Sequence, residues 1–368
     1  MKIGVLTLTL HTNYGGILQA FALQTVLERM GHKVEVLNRP FLPSKTKWRD
    51  IPKRIIKKLL GRDVVIFSER RYNKEAPVIN KGIWDFRKKY IHERIINSLH
   101  EIKETDYDCI VVGSDQVWRP CYFKAQWNTG IEDAYLAFTK GWNIKRIVYA
   151  ASFGVDTWEY TEEETIRCRE AAKMLDVVSV REESGVTLLK RYLDIESSNV
   201  LDPTMLLEKD IYIDLANKEP KSKGNMLIYL LNPTVNKKKL VESIAKQRDL
   251  KPFSVNEKMI KETSSVEKRT APSVECWLKG FEDAEFVITD SFHACAFSVI
   301  FGKDFVVMKN DKRGTGRIVS FLKKLNMESN LLESDHNKNF EYKTKYSSRL
   351  TQILNKEKMF SLRVLAEI

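Results

Sequence analysis

A histidine, the side chain best suited to carrying a proton near neutral pH, stands where the chain turns from a strand-like run into a helix-like one. Residues 285–289 (EFVIT) lead through Asp290, Ser291 and Phe292 to His293, and an apolar stretch then ends at Gly302. Gly302 reads as the helix stop, and Asp290 or Ser291 as the N-cap. His293 therefore falls in the first helical turn, where free N–H groups and the positive end of the dipole favour a bound anion. A phosphate or carboxylate held there would pair with the protonated ring and make it a general acid. The structural alternative is a core histidine satisfied by a carbonyl; its place at a strand end favours chemistry.

Other strand ends offer complementary groups. The run 177–180 ends at Arg181, Glu182, Glu183, Ser184 and Gly185. The planar guanidinium of Arg181 suits a phosphate or carboxylate, and it would equally suit a structural tie to Glu182 or Asp202. The run 109–112 ends at Gly113, Ser114 and Asp115, and the run 146–150 near Ser152 and Gly154; small residues there permit close backbone approach to a ligand. After the first strand come His11, Thr12, Asn13, Tyr14, Gly15 and Gly16. Their spacing matches neither a dinucleotide fingerprint nor a P-loop. Asn13 and Tyr14 can hydrogen-bond and stack on a sugar, or simply build a tight turn. In residues 309–317 (KNDKRGTGR), Lys309, Lys312, Arg313 and Arg317 precede an amphipathic segment. Such clusters are mostly solvated, but one member near a cleft would bind phosphate.

These residues need a scaffold. Apolar runs at 2–8, 33–37, 109–112, 146–150, 177–180 and 199–201 alternate with helix-length amphipathic segments, as in a parallel sheet covered on both faces. A polar stretch, 216–224 (ANKEPKSKG), reads as a linker, and a second set follows at 226–231, 252–255, 286–289 and 305–308. The pattern predicts an α/β protein: an N-terminal domain over 1–215, a second over 216–345 and a helix-like tail over 346–368. Ligands of open parallel sheets bind beyond the carboxyl ends of the strands.

Composition narrows the class. With 43% hydrophobic and 30% charged residues the chain is a folded globular protein. No run approaches the roughly 18 apolar residues of a membrane span. Five scattered cysteines signal neither a disulfide framework nor a zinc site, which fits a cytoplasmic location. The net charge of +12 is dispersed and accompanies no nucleic-acid-reading motif, so no specific nucleic acid is expected. Residues 48–60 (WRDIPKRIIKKLL) concentrate basic charge on one helical face and apolar residues on the other. That segment either packs on its domain or lies on anionic lipid at the inner face of the cell membrane.

Taken together, NYGGILQAFALQ, GSDQVW (113–118), SVREESG (179–185), VLDPTMLL (200–207) and TDSFHACAFSVIFGKDF (289–305) resemble, in order, the bacterial polysaccharide pyruvyl transferases. The resemblance implies a GT-B-like fold, two Rossmann-type domains whose parallel sheets face each other across a cleft, with the 346–368 tail crossing back to the first domain. It implies His293 as the catalytic histidine and Arg181 as the donor-binding arginine. It also implies phosphoenolpyruvate as donor, with no further cofactor and no metal, and a sugar or lipid-linked oligosaccharide as acceptor. Some members carry arginine where this chain has Ser291; Arg313 or Arg317 are the candidates to supply the missing charge. The rival readings are a glycosyltransferase of the same fold using a nucleotide sugar, and an inactive homologue.

Overall fold

A computed structural model describes residues 1–255, 263–310, 314–332 and 348–368. The first sheet contains β1 (Lys2–Leu6), β2 (Lys33–Asn38), β3 (Glu93–Ile95), β4 (Cys109–Val112), β5 (Lys145–Ala151), β6 (Val177–Val180) and β7 (Ser198–Asn199). The second contains β8 (Met226–Tyr229), β9 (Pro252–Ser254), β10 (Phe286–Thr289), β11 (Asp304–Met308) and β12 (Leu331–Leu332). Strand orders are β3-β2-β1-β4-β5-β6-β7 and β12-β11-β10-β8-β9. Pairing is parallel in both sheets, with Ile3 opposite Cys109 in one and Val287 opposite Leu227 in the other. Two parallel sheets of this kind, joined in series, make the chain an α/β protein of GT-B-like architecture.

Every residue of β4, β8 and β10 is buried. These central strands are continuous, mostly apolar runs because helices cover both faces, which removes any reason to alternate. The short edge strands β3 and β12 were not legible as strands, since two or three residues carry no period.

In each sheet the chain first winds one way and then reverses, at β1/β4 in the first and at β8/β10 in the second. A crevice opens at such reversals beyond the strand ends. Residues 7–16 and 113–116 follow the first pair; residues 230–232 and 290–293 follow the second.

The sheets are not joined by a linker alone. One continuous apolar cluster includes Ile17 and Phe21 from the first domain together with Trp277 and Phe297 from the second. Helix Tyr14–Arg29 is buried along most of its length, as a helix must be when it is covered all round. Its first residue crosses the seam: the Tyr14 ring stacks on Trp277 at 5.8 Å, and its hydroxyl donates to the Pro272 carbonyl at 2.7 Å.

Helix Ser348–Leu365 reaches the first domain. Its buried Ser361 Oγ accepts the Leu201 N–H at 2.9 Å, and Lys358 pairs with Glu208 at 3.3 Å. No helix among the described residues is long and apolar enough to cross a membrane.

Ser361→Ala leaves the buried Leu201 N–H without its acceptor, a loss of about 1–3 kcal/mol. Chemical denaturation monitored by circular dichroism should show this decrease, whereas exposed Lys356→Ala should stay within about 0.5 kcal/mol of wild type. Equal stabilities would mean that the tail helix is not held through this bond.

Candidate active site

At the reversal of the second sheet, β10 delivers Asp290, Ser291 and Phe292 to the start of helix Phe292–Ile300. Gly302 ends that helix with φ +66°, and the Lys303 N–H returns to the Ser298 carbonyl at 2.8 Å. This left-handed turn suits glycine and confirms the stop read from sequence. The cap expectation is corrected. Ser291 occupies the N-cap position without a side-chain bond, its N–H turned to Thr289 Oγ1 at 3.0 Å. The Asp290 carboxylate faces the other way and accepts the Leu231 N–H at 2.6 Å, the Asn232 N–H at 3.1 Å and Lys237 Nζ at 2.6 Å. The positive end of the helix is therefore left without a side-chain cap.

His293, 6% exposed, crosses from this helix to the first domain. Its Nε2 lies 3.4 Å from Arg181 Nη1 and 3.6 Å from Asp202 Oδ2. On the other side the ring rests on Gly15, where an added Cβ would stand 2.1 Å from Nδ1. Gly15 is thus the wall against which the imidazole is seated, and any side chain there would displace it.

Arg181, at the end of β6, is buried and is the hub of the cluster. Nη1 donates to Asp202 Oδ2 at 2.5 Å, Nη2 lies 3.5 Å from Asp115 Oδ1, and Nε has no hydrogen-bond partner. The guanidinium lies over the Phe292 ring at 4.3 Å, a favourable placement for a cation. Burial alone would lower its pKa; Asp202, Asp115 and Glu182 more than reverse this. For Asp202 burial acts upward, yet His293, Arg181 and the Thr204 hydroxyl hold its carboxyl well below the ordinary range. The structural tie to Asp202 weighed from the sequence is therefore present in Arg181.

A second guanidinium flanks the same ring. Arg317, on helix Gly316–Lys324, lies 5.9 Å from the Phe292 centroid and is 7% exposed. Burial and the charge of Arg181 push its pKa down to about 10. It stays cationic at neutral pH, and a bound anion would relieve both penalties. Glu182 completes the cluster. Its Oε1 accepts the Phe153 N–H at 2.8 Å, its Oε2 has no partner, and burial raises its pKa against the pull of Arg181 and Arg317.

The remaining sequence candidates divide. Asp115 joins the cluster through Arg181. Ser114 is buried scaffolding: Oγ donates to the Ala150 carbonyl at 2.8 Å and the N–H to Gln19 Oε1 at 2.9 Å. Gly113, at φ +129°, presses against the Tyr149 carbonyl. Asn13 is exposed at the start of helix Tyr14–Arg29, but the Tyr14 ring is committed to the domain seam and is not open for stacking on a sugar. Arg313 lies outside the described residues. Asp202, Phe292 and Glu182 were not singled out as site residues; Asp202 follows the last strand of the first sheet, so the strand-end rule was the available signal.

Asp202→Asn should destabilise the protein at pH 7 by about 3–5 kcal/mol, because it removes the nearest counter-charge of a buried guanidinium. The folded-state pKa of Asp202 is depressed. Its contribution is therefore complete above the unfolded value near 3.9 and is lost as pH falls below that. Denaturation at pH 7 and pH 3 should show the wild-type advantage shrinking at the lower pH; a gap independent of pH would contradict the assignment.

Among solved structures the chain is similar to Arabidopsis thaliana UGT89C1 complexed with UDP-L-rhamnose, with TM-score 0.49, 10% identity and coverage of 99% of this chain and 97% of that one. UDP-GlcNAc 2-epimerase from Methanocaldococcus jannaschii gives TM-score 0.48, 12% identity and 100% coverage of both chains. The Neisseria meningitidis enzyme of that name bound to UDP-GlcNAc gives TM-score 0.46, 10% identity and 100% coverage of both. No curated protein matches in sequence. The family model "Polysaccharide pyruvyl transferase" matches residues 13–312, a span that takes in Gly15, Asp115, Arg181, Asp202 and His293, and so this chain belongs to the polysaccharide pyruvyl transferase family.

Proposed function

We propose that the chain transfers the pyruvyl group of phosphoenolpyruvate to two hydroxyls of a saccharide, forming a cyclic ketal and releasing phosphate. The observation that carries this reading is the group at the uncapped helix start: the His293 ring within 3.4 Å of Arg181, with Arg317 across Phe292. Phosphoenolpyruvate bears a carboxylate and a phosphate on one carbon, and two guanidiniums beside a positive helix end suit that pair of anions.

In the step as proposed, protonated His293 gives its proton to the methylene carbon, which becomes the methyl group. Positive charge develops at the neighbouring carbon, an acceptor hydroxyl attacks there and loses its proton, and the carbon–oxygen bond to phosphate breaks. A second hydroxyl closes the ketal, and phosphate leaves with the remaining proton. Arg181 and Arg317 hold the donor's charges, and Asp202 keeps both Arg181 and the imidazole in place. The chemistry as written uses phosphoenolpyruvate alone as donor. With Ser291 in place of the arginine of some relatives, Arg317 supplies the second cation.

Phosphate release from phosphoenolpyruvate should require a saccharide acceptor, drawn from galactosides, mannosides and N-acetylmannosamine, free or lipid-linked. His293→Gln should lower turnover at least 100-fold with folding intact, and Arg317→Gln should raise the donor KM at least tenfold. Full turnover in His293→Gln would remove the acid assignment; consumption of a nucleotide sugar in place of phosphoenolpyruvate would favour the rival donor.

The family implies a polysaccharide acceptor, and we propose that the protein meets a lipid-linked precursor at an anionic membrane surface. Helix Ile51–Leu59 has no buried residue, and Trp48, Ile56, Leu59 and Leu60 are 65%, 58%, 83% and 69% exposed. Arg54 turns inward to Glu69, with both bonds 2.7 Å, so Lys53, Lys57 and Lys58 remain as the basic flank. Each lysine near anionic lipid contributes about 1 kcal/mol, and apolar burial adds to it. Vesicles of phosphatidylglycerol and phosphatidylcholine should co-sediment the wild type, and Leu59→Glu with Leu60→Glu should abolish this. Unchanged sedimentation, or none for the wild type, would end the membrane proposal.

A further inference from the structure

Beyond the His293 cluster, a second recess of about 510 Å³ opens at the carboxyl ends of β2 and β3, lined in part by Arg39, Phe41, Trp84 and Arg87. We infer that this recess is the saccharide subsite, seating a sugar unit of the acceptor; the inference rests on the pyruvyl-transfer reading only for what the sugar is used for.

Two of its donors are buried with nothing to bond: Arg39 Nε and Trp84 Nε1. A buried N–H without an acceptor is destabilising, and hydroxyl and ring oxygens of a sugar would supply one. The aromatic rings supply the other half of the recognition. Phe41 and Trp84 stand 5.5 Å apart at 53°, and His11 meets Phe41 edge-on at 5.9 Å. Such rings offer an apolar surface beside polar edges, as the C–H faces and hydroxyls of a pyranose require. His11 Nδ1 is a third unpartnered buried atom. Burial, with Arg87 and Arg39, lowers the pKa of His11 against the pull of Glu93, so the ring is neutral and can both donate and accept.

The recess is also held rigid. Glu93 is clamped by Arg87 through two bonds of 2.7 Å and accepts Asn38 Nδ2 at 3.0 Å. Arg39 Nη1 donates to the Gln126 carbonyl at 2.7 Å, and Gln126 Oε1 takes the Thr9 N–H at 2.8 Å. With Glu93 neutralised in this way, the exposed chemistry is donor-rich, which disfavours a cationic ligand and suits oxygen acceptors. His11, whose ring meets Phe41 beside the recess, is four residues from Gly15, which backs the His293 imidazole.

The test is saturation-transfer NMR without donor, using methyl β-D-galactopyranoside, methyl α-D-mannopyranoside and N-acetylmannosamine as probes. At least one should give signal with wild type and with His293→Gln. Trp84→Ala and Arg39→Ala should lose at least five-sixths of it, and Trp84→Phe, which keeps a six-membered ring and loses the pyrrole ring with its N–H, should fall in between. Phosphorus NMR of phosphoenolpyruvate should be unaffected by the Trp84 and Arg39 changes, and melting curves report folding. Signals unchanged in both alanine variants, or absent for every probe with wild type, would overturn the assignment. Sugar binding that depends on Trp84 in a protein that ignores phosphoenolpyruvate would leave the subsite standing and remove the transfer reaction; turnover insensitive to Trp84 and Arg39 would do the reverse.

Discussion

The ion pair between Arg181 and Asp202 is the constraint on which the site depends. Both groups are buried, 2.5 Å apart, and neither would be tolerated there without the other. Arg181 ends β6 and Asp202 follows β7, so the pair forms at the carboxyl edge of one sheet. His293 reaches the same point from the other sheet. An ion pair of the first domain and an imidazole of the second thus meet only when the domains are docked. The continuous apolar cluster, with Tyr14 on Trp277 and Pro272, is what keeps them docked.

Asymmetry of charge then gives the site its preference. Arg181 has Asp202 and Asp115 beside it, whereas Arg317 sits across Phe292 with its pKa lowered by burial and by Arg181. Glu182, whose charge both arginines favour, is pushed toward its neutral form by its own burial. The helix that carries His293 adds a positive end without a side-chain cap. The burial of Arg317, its repulsion by Arg181 and the uncapped helix end all penalise positive charge, which an anion beside them would offset.

Much of this could be read from the sequence. Strands β4, β6, β8 and β10 stand out as apolar β-branched runs, and the strand-end rule leads directly to Arg181 and His293. The rest needed three dimensions. Tyr14 and Gly15 open the same helix, yet one packs in the seam and the other backs the His293 ring; no local pattern separates them. Asp290 and Ser291 both have cap chemistry, and only the neighbouring strand end, with Leu231, Asn232 and Lys237, decides that Asp290 turns away. Arg317 lies in a run of basic residues that reads as solvated surface, and its burial follows from docking against Phe292. The Trp84 recess has no sequence signature, because its lining comes from residues 39, 41, 84 and 87, apart along the chain and joined only at the strand ends.

The most direct test of the account is to follow the methyl group of the product formed in D2O from phosphoenolpyruvate and a competent saccharide. Protonation of the donor's methylene carbon at the His293 site predicts a pyruvate ketal whose methyl carries one deuteron, with an equal amount of phosphate released. A product lacking a pyruvyl ketal, or a protein that leaves phosphoenolpyruvate intact while consuming a nucleotide sugar, would contradict the central claim.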